Sequence, residues 1–237
     1  MTLYWEDNDK INPWLFSIIT LDESKTTYWF KMFTKVLQNI MLNVSLYIND
    51  EWSRNLSNKL SSKVNALLII DIQEKIIRPI FDKDSIIKNI KKLINAYQIL
   101  EENIFISEQN PLKLGVTIPE LSPKAEFRKF EKMEFSLAKL EDFLKELKDK
   151  KITNLIVCGI ETHICIQQTV LDCLQKGFEV ILISDSMGSR NRVDHEIALQ
   201  RMSQSGAILT TTESIIFELC KTADRKEFKE IRNIIMS

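Results

Sequence analysis

The sequence predicts an α/β protein: a three-layer α/β/α sandwich on a parallel, Rossmann-like sheet, preceded by a mainly helical N-terminal extension. Three observations predict it. Unbroken apolar runs recur from Ala66 onward, and each is followed by a stretch of helical periodicity. Strands buried on both faces read in this way, because helices cover a parallel sheet above and below. Glycine and proline are sparse, at five each, so the folded part is regular rather than loop-rich. Finally, Asp71, Glu108, Cys165 and Asp185 lie at or just past the ends of the apolar runs. That is where doubly wound sheets bind their ligands.

Each element has its own reason. Ala66-Leu-Leu-Ile-Ile-Asp71 is an apolar run that ends in a carboxylate and forms the first strand. Ser85–Glu101 carries Ile86, Ile90, Leu93, Ile94, Tyr97 and Leu100 at helical spacing. Asn103–Ser107 is a second strand, and Glu108–Pro123 is a loop punctuated by proline and glycine. Phe127–Phe130 is a short strand, and Ser136–Lys148 a helix. Thr153–Cys158, Glu179–Ser184 and Ala207–Thr210 are strands. Ile164–Lys176, Arg192–Ser205, Ser214–Cys220 and Lys226–Ile235 are helices. Residues 1–64 differ from the rest. They hold all four tryptophans, and a helix is expected around Thr27–Tyr47. The chain is thus read as an extension, 1–64, followed by one domain, 65–237.

Composition narrows the class. The chain has 237 residues, 44% of them hydrophobic, enough for a substantial core. A net charge of −1 without a basic stripe argues against nucleic acid and anionic membranes as partners. The stretch Trp29–Ile48 is interrupted by Lys31, Lys35, Gln38 and Asn39, too polar for a membrane span. The N-terminus shows no secretory signal pattern, and early Glu6, Asp7 and Asp9 are unlike a mitochondrial presequence. None of the four cysteines forms a C-x-x-C pair. Free thiols in an intracellular, cytoplasmic setting are expected, with a mitochondrial location left open.

The most informative stretch is Leu155-Ile-Val-Cys-Gly-Ile-Glu-Thr-His-Ile-Cys165, a buried strand and a tight turn, followed by an amphipathic helix. It sets Cys165 in the first helical turn, where unpaired backbone N–H groups and the helix dipole favour a thiolate. Strand-turn-helix corners of this kind commonly carry a hydrolase nucleophile. The plainer reading of Cys165 is a small buried hydrophobe, which is the reading for Cys158 and Cys173. Asp71 is either a proton acceptor for the thiol or a helix-capping, hydrogen-bonded aspartate. Lys132, among Arg128, Lys129 and Glu131, is either a solvated lysine or one that points inward to hold both charges. His163 offers a Cys-His dyad or faces solvent or caps the helix, and His195 reads as structural or exposed. Gln73, Glu108, Gln109, Phe135, Ile160 and His163 are the candidate pocket residues. Cys158, His163 and Cys165 lack metal-ligand spacing, and no G-x-G-x-x-G follows the first strand, so no metal and no cofactor is expected.

Several segments in order resemble the isochorismatase-like cysteine hydrolases, specifically their isochorismatase-domain-containing branch. They are Leu68-Ile-Ile-Asp-Ile-Gln-Glu-Lys75, Ser107-Glu-Gln-Asn-Pro111, Glu131-Lys-Met-Glu-Phe-Ser136, Cys158-Gly-Ile-Glu-Thr-His-Ile-Cys165 and Ser184-Asp-Ser-Met-Gly-Ser-Arg190. The likeness runs from about Ala66 to Ile235. It implies a six-stranded parallel sheet and a catalytic triad of Asp71, Lys132 and Cys165. It also implies a cis peptide at Ile160–Glu161 and an oxyanion hole made by the backbone N–H groups of Glu161 and Cys165. The nicotinamidase branch carries an Asp-x-His metal pair after its second strand. Ser107-Glu-Gln-Asn-Pro111 has no histidine there and departs from that pattern.

The function expected is hydrolysis of a small amide-like substrate by a homo-oligomeric, metal-independent enzyme. The alternative is a catalytically weak domain that binds a partner, with the tryptophan-rich extension as its surface. A redox-responsive thiol is a third reading.

Overall fold

The computed structural model describes residues 64–123 and 127–237, together with Phe33, Lys35 and Val36. Those three are exposed and helical. The remainder of the expected extension lies outside the described residues.

Six parallel strands alternate with helices. They are β1 (Asn65–Ile70), α1 (Lys83–Ile99), β2 (Asn103–Gln109), β3 (Arg128–Lys132), α2 (Glu141–Asp149), β4 (Asn154–Ile160), α3 (Gln167–Gln175), β5 (Glu179–Gly188), α4 (Arg192–Gln204), β6 (Ile208–Thr210), α5 (Thr212–Cys220) and α6 (Phe228–Met236). The sheet order is β3-β2-β1-β4-β5-β6, the Rossmann order. It reverses direction between β1 and β4, so the exits of these two strands open a crevice at the centre of the sheet.

The alternation of side chains along β1 divides the core in two. Leu67 and Ile69 join Ile90 and Leu93 of α1, Ile215 of α5 and Ile231 of α6 on one face. Ala66, Leu68 and Ile70 join Phe143 of α2, Val170 of α3 and Met202 of α4 on the other. All six residues of β1 are buried, which is why its sequence shows no polar alternation. Among the described residues no helix is long and apolar enough to cross a membrane.

Some boundaries differ from the sequence reading, and the differences move functional residues. β3 runs on to Lys132, two residues past its expected end, because Glu131 and Lys132 pair with Glu108 and Gln109 of a longer β2. Phe105 of β2, Phe130 of β3 and Phe143 of α2 pack edge to face, with ring centroids 5.4–6.2 Å apart, and clamp this edge strand in place. The expected helix Ser136–Lys148 is split into a 3₁₀ turn, Leu137–Lys139, and α2. β5 extends to Gly188, so Asp185 lies inside a strand rather than at its end. Its Oδ1 accepts from the Thr212 backbone N–H at 2.8 Å and hydroxyl at 2.9 Å, and so caps α5.

Candidate active site

β1 ends at Ile70, and Asp71 turns into the left-handed region at φ 51°. The Asp71 N–H still reaches the Ser107 carbonyl at 3.1 Å. Its side chain is therefore presented at the strand exit, fully buried. Oδ1 accepts from Ser107 Oγ at 2.7 Å, and Oδ2 accepts from Lys132 Nζ at 2.6 Å. Lys132 is 3% exposed, not a solvated surface lysine, and its Nζ also donates to Gln109 Oε1 at 2.8 Å. The extra length of β3 explains its position: Lys132 stands beside Gln109 in register. Asp82, not Asp71, occupies the N-cap of α1.

β4 leads out of the sheet beside β1. Gly159, at φ +124°, passes so close to β1 that a Cβ there would lie 2.1 Å from the Ile70 carbonyl oxygen. The Ile160–Glu161 peptide is cis. A π-helical turn, Thr162–Ile166, follows before α3 begins, so Cys165 sits in that turn rather than in the first turn of an α-helix. π-turns are rare and recur at functional positions. Cys165 is 6% exposed, and the Asp71 and Lys132 charges both act on its thiol. The three residues, drawn from the exits of β1, β3 and β4, thus form one buried cluster.

The electrostatics correct the expectation of a ready thiolate. Burial pushes the Cys165 thiol up to about 12, the Asp71 carboxylate adds to that, and Lys132 opposes it without prevailing. Cys165 is a thiol at rest, with a carboxylate beside it to take its proton.

The candidate pocket residues divide. Gln109 belongs to the cluster through Lys132, and its Nε2 donates to the Met133 carbonyl at 2.7 Å. Gln73 is fully buried; its Oε1 accepts from the Gln109 N–H at 2.7 Å, and its Nε2 donates to the Gly115 carbonyl at 2.5 Å. Glu108 accepts from the Thr117 N–H and hydroxyl, both at 2.8 Å, and pairs with Lys129 at 3.1 Å. Burial alone would raise the Glu108 carboxyl, but the Thr117 and Lys129 bonds outweigh it and hold it below its ordinary value. Gln73 Nε2 and Glu108 Oε1 therefore fasten the segment 110–121, while Gln73 Oε1 and Glu108 Oε2 are taken by Gln109 and Lys129. Ile160 packs into the core shared with α1, α5 and α6. Phe135 is 52% exposed in the loop after β3. His163 bonds to Ser189, its Nδ1 lying 2.9 Å from Oγ, rather than forming a dyad with Cys165. His195 is half-buried, with Nδ1 2.9 Å from Thr162 Oγ1.

Sequence reasoning missed Ser107 as the second donor to Asp71. It sits opposite Ile70 in the β1–β2 register, a pairing that no local pattern reveals. Among the described residues no group of three or more His, Cys, Asp or Glu side chains is placed to hold a metal.

Fold and cluster together define a Rossmann-like α/β protein with a cysteine on the turn after its fourth strand. The sequence model of the isochorismatase domain matches residues 65–214, and the chain belongs to the isochorismatase family. It is 38% identical to isochorismatase domain-containing protein 2 of Xenopus laevis over 180 residues, which cover 75% of this chain and 86% of that protein. The solved structure of the MAR1 ribonuclease of Caenorhabditis elegans is 36% identical, with a TM-score of 0.70, covering 74% of this chain and 91% of that one. The Escherichia coli ycaC gene product, an octameric hydrolase of unknown specificity, shares the fold. It is 23% identical, with a TM-score of 0.64, covering 73% of this chain and 92% of that one.

Proposed function

We propose that this chain is a metal-independent cysteine hydrolase of small amide-like or related carbonyl substrates, with Cys165, Asp71 and Lys132 as its catalytic residues. The observation that carries this reading is the buried Asp71–Lys132 pair at 2.6 Å with the Cys165 thiol against it. A buried ion pair adds little net stability over an apolar replacement, so its presence at a strand-exit crevice favours a chemical role. Membership of the isochorismatase family supports hydrolysis at the level of the class.

In this mechanism Asp71 takes the thiol proton as the sulfur attacks the carbonyl carbon. The negative charge that develops on oxygen is met by the backbone N–H groups of Glu161 and Cys165, each donor worth about 3–4 kcal/mol. Asp71 then returns the proton to the leaving nitrogen as the C–N bond breaks and a thioester forms. Water, deprotonated by Asp71, attacks the thioester, and the departing sulfur recovers its proton. Lys132 balances the Asp71 charge throughout, and Ser107 and Gln109 hold the pair in position.

A small substrate suits a cysteine that is only 6% exposed. A net charge of −1 does not favour a nucleic acid, although the Caenorhabditis elegans relative is described as a ribonuclease. Leu112 and Val116 in the segment 110–121 and Met133 and Phe135 just after Lys132 are exposed apolar side chains, and they support a homo-oligomer like the octamer described for the Escherichia coli protein.

The test is acyl transfer from p-nitrophenyl acetate together with a screen of small amides. Release of p-nitrophenolate with a thioester on Cys165, read by peptide mass spectrometry, is the expected result. Cys165→Ala abolishes both acylation and amide turnover while leaving the circular dichroism unchanged. Retained turnover in that variant would overturn the mechanism.

A further inference from the structure

Three consecutive residues of the turn that leads to Cys165 are held by one segment, 189–195, where β5 leaves the sheet. Glu161 Oε2 accepts from the Arg190 backbone N–H at 3.0 Å and from Arg190 Nε at 3.1 Å. Thr162 Oγ1 lies 2.9 Å from His195 Nδ1, and His163 Nδ1 lies 2.9 Å from Ser189 Oγ. The segment is itself anchored. Gly188 pairs with Ile160 in the sheet, Ser189 is 1% exposed, and the Ser189 carbonyl accepts from the Phe81 N–H at 3.1 Å.

The Glu161 contact matters most. Its side chain is 13% exposed and begins one residue from the strand end, on the residue whose N–H faces the oxyanion in the mechanism above. A free carboxylate there would repel the charge developing on the carbonyl oxygen. The two Arg190 donors neutralise it and fix where it points, a charge-assisted arrangement stronger than a neutral pair.

We propose that Arg190 is a positioning residue for acyl transfer: by tying down the Glu161 carboxylate it keeps the Glu161 and Cys165 N–H groups aimed at the oxyanion, without setting the reactivity of the Cys165 thiol itself. This rests on the cysteine mechanism proposed above.

Two reactions of the same sulfur separate these effects. Acylation by p-nitrophenyl acetate forms the S–C(O)CH₃ bond, breaks the ester C–O bond and passes through an oxyanion. Alkylation by iodoacetamide forms an S–CH₂ bond and expels iodide, with no oxyanion; the thiol loses its proton in both. Arg190→Ala is expected to slow acylation of Cys165 by about tenfold while leaving alkylation within about twofold of the unmodified protein. Arg190→Lys regains part of the loss, and Glu161→Gln in the Arg190→Ala background regains more, because it removes the unpaired charge. Ser189→Ala, which frees only His163, gives a smaller loss with the same split, and it serves if Arg190→Ala does not fold. Equal loss of both reactions, or loss of neither, overturns the assignment. If the unmodified protein alkylates but does not acylate at Cys165, the mechanism itself fails, and the role of Arg190 falls with it.

Discussion

Burial and the adjacent Asp71 carboxylate push the Cys165 thiol up to about 12 against the pull of Lys132. At neutral pH the sulfur therefore carries its proton until a substrate carbonyl is at hand. Alkylation of Cys165 by iodoacetamide is expected to be slower than that of free cysteine at pH 8, and its rate should climb through the alkaline range toward about 12. Lys132→Met removes the cation that favours the thiolate, so the whole profile moves to still higher pH. Peptide mass spectrometry at a series of pH values reads both effects. A midpoint below the ordinary thiol value of 9.0 would show that the turn stabilises the thiolate after all.

The turn after β4 depends on how closely two strands can approach. Gly159 lies at φ +124°, and an added Cβ would meet the Ile70 carbonyl oxygen at 2.1 Å, the nitrogen of the same residue at 2.6 Å and its carbonyl carbon at 2.8 Å. These are backbone atoms of the central strand, so nothing can swing aside. Gly159→Ala must separate β1 from β4 where Asp71 and Cys165 meet. It is expected to cost more than about 3 kcal/mol in urea unfolding, and to reduce Cys165 acylation in whatever folded protein remains. A variant of ordinary stability would mean that β4 can adjust its path. The segment after β2 is fastened by hydrogen bonds rather than by close strand packing. The segment 110–121 holds to β1's exit by the Glu74 N–H to the Val116 carbonyl at 3.1 Å and the Ile118 N–H to the Ile72 carbonyl at 3.0 Å, besides the Gln73 and Glu108 bonds.

Across the described domain the buried thiols of Cys158, Cys165 and Cys173 and the buried Tyr97 hydroxyl share one sign. Cys165 and Cys173 are each pushed up to about 12, chiefly by burial, and burial raises Cys158 and Tyr97 as well. A group whose pKa is higher in the folded state than in the unfolded chain keeps its proton longer when folded. Its contribution to stability is whole below the ordinary thiol value of 9.0 and is lost as pH rises from there toward about 12. The urea midpoint is therefore expected to hold steady up to about pH 9 and to fall at each step above it. A midpoint unchanged at pH 11 would mean that these thiols do not ionise more readily in the unfolded chain than in the folded one.

Much of the fold was legible in the sequence because burial on both faces leaves a local trace. Ala66–Ile70 and Leu155–Cys158 are apolar without a break, and each lies within an observed strand. Cys165 stood out for the same reason, since a strand, a turn and an amphipathic helix are local patterns. The family motifs carried Lys132, whose charged neighbours alone pointed to the surface. Only the tertiary structure decided the rest. Lys132 is buried because β3 gains two residues by pairing with β2 and its Phe130 is clamped by Phe105 and Phe143. The protonated state of Cys165 follows from desolvation and a carboxylate 94 residues away in the chain, from Asp71 to Cys165. Periodicity records which side of an element is covered. It does not record which strand lies beside which, and the charges that set a site's chemistry act across that spatial order.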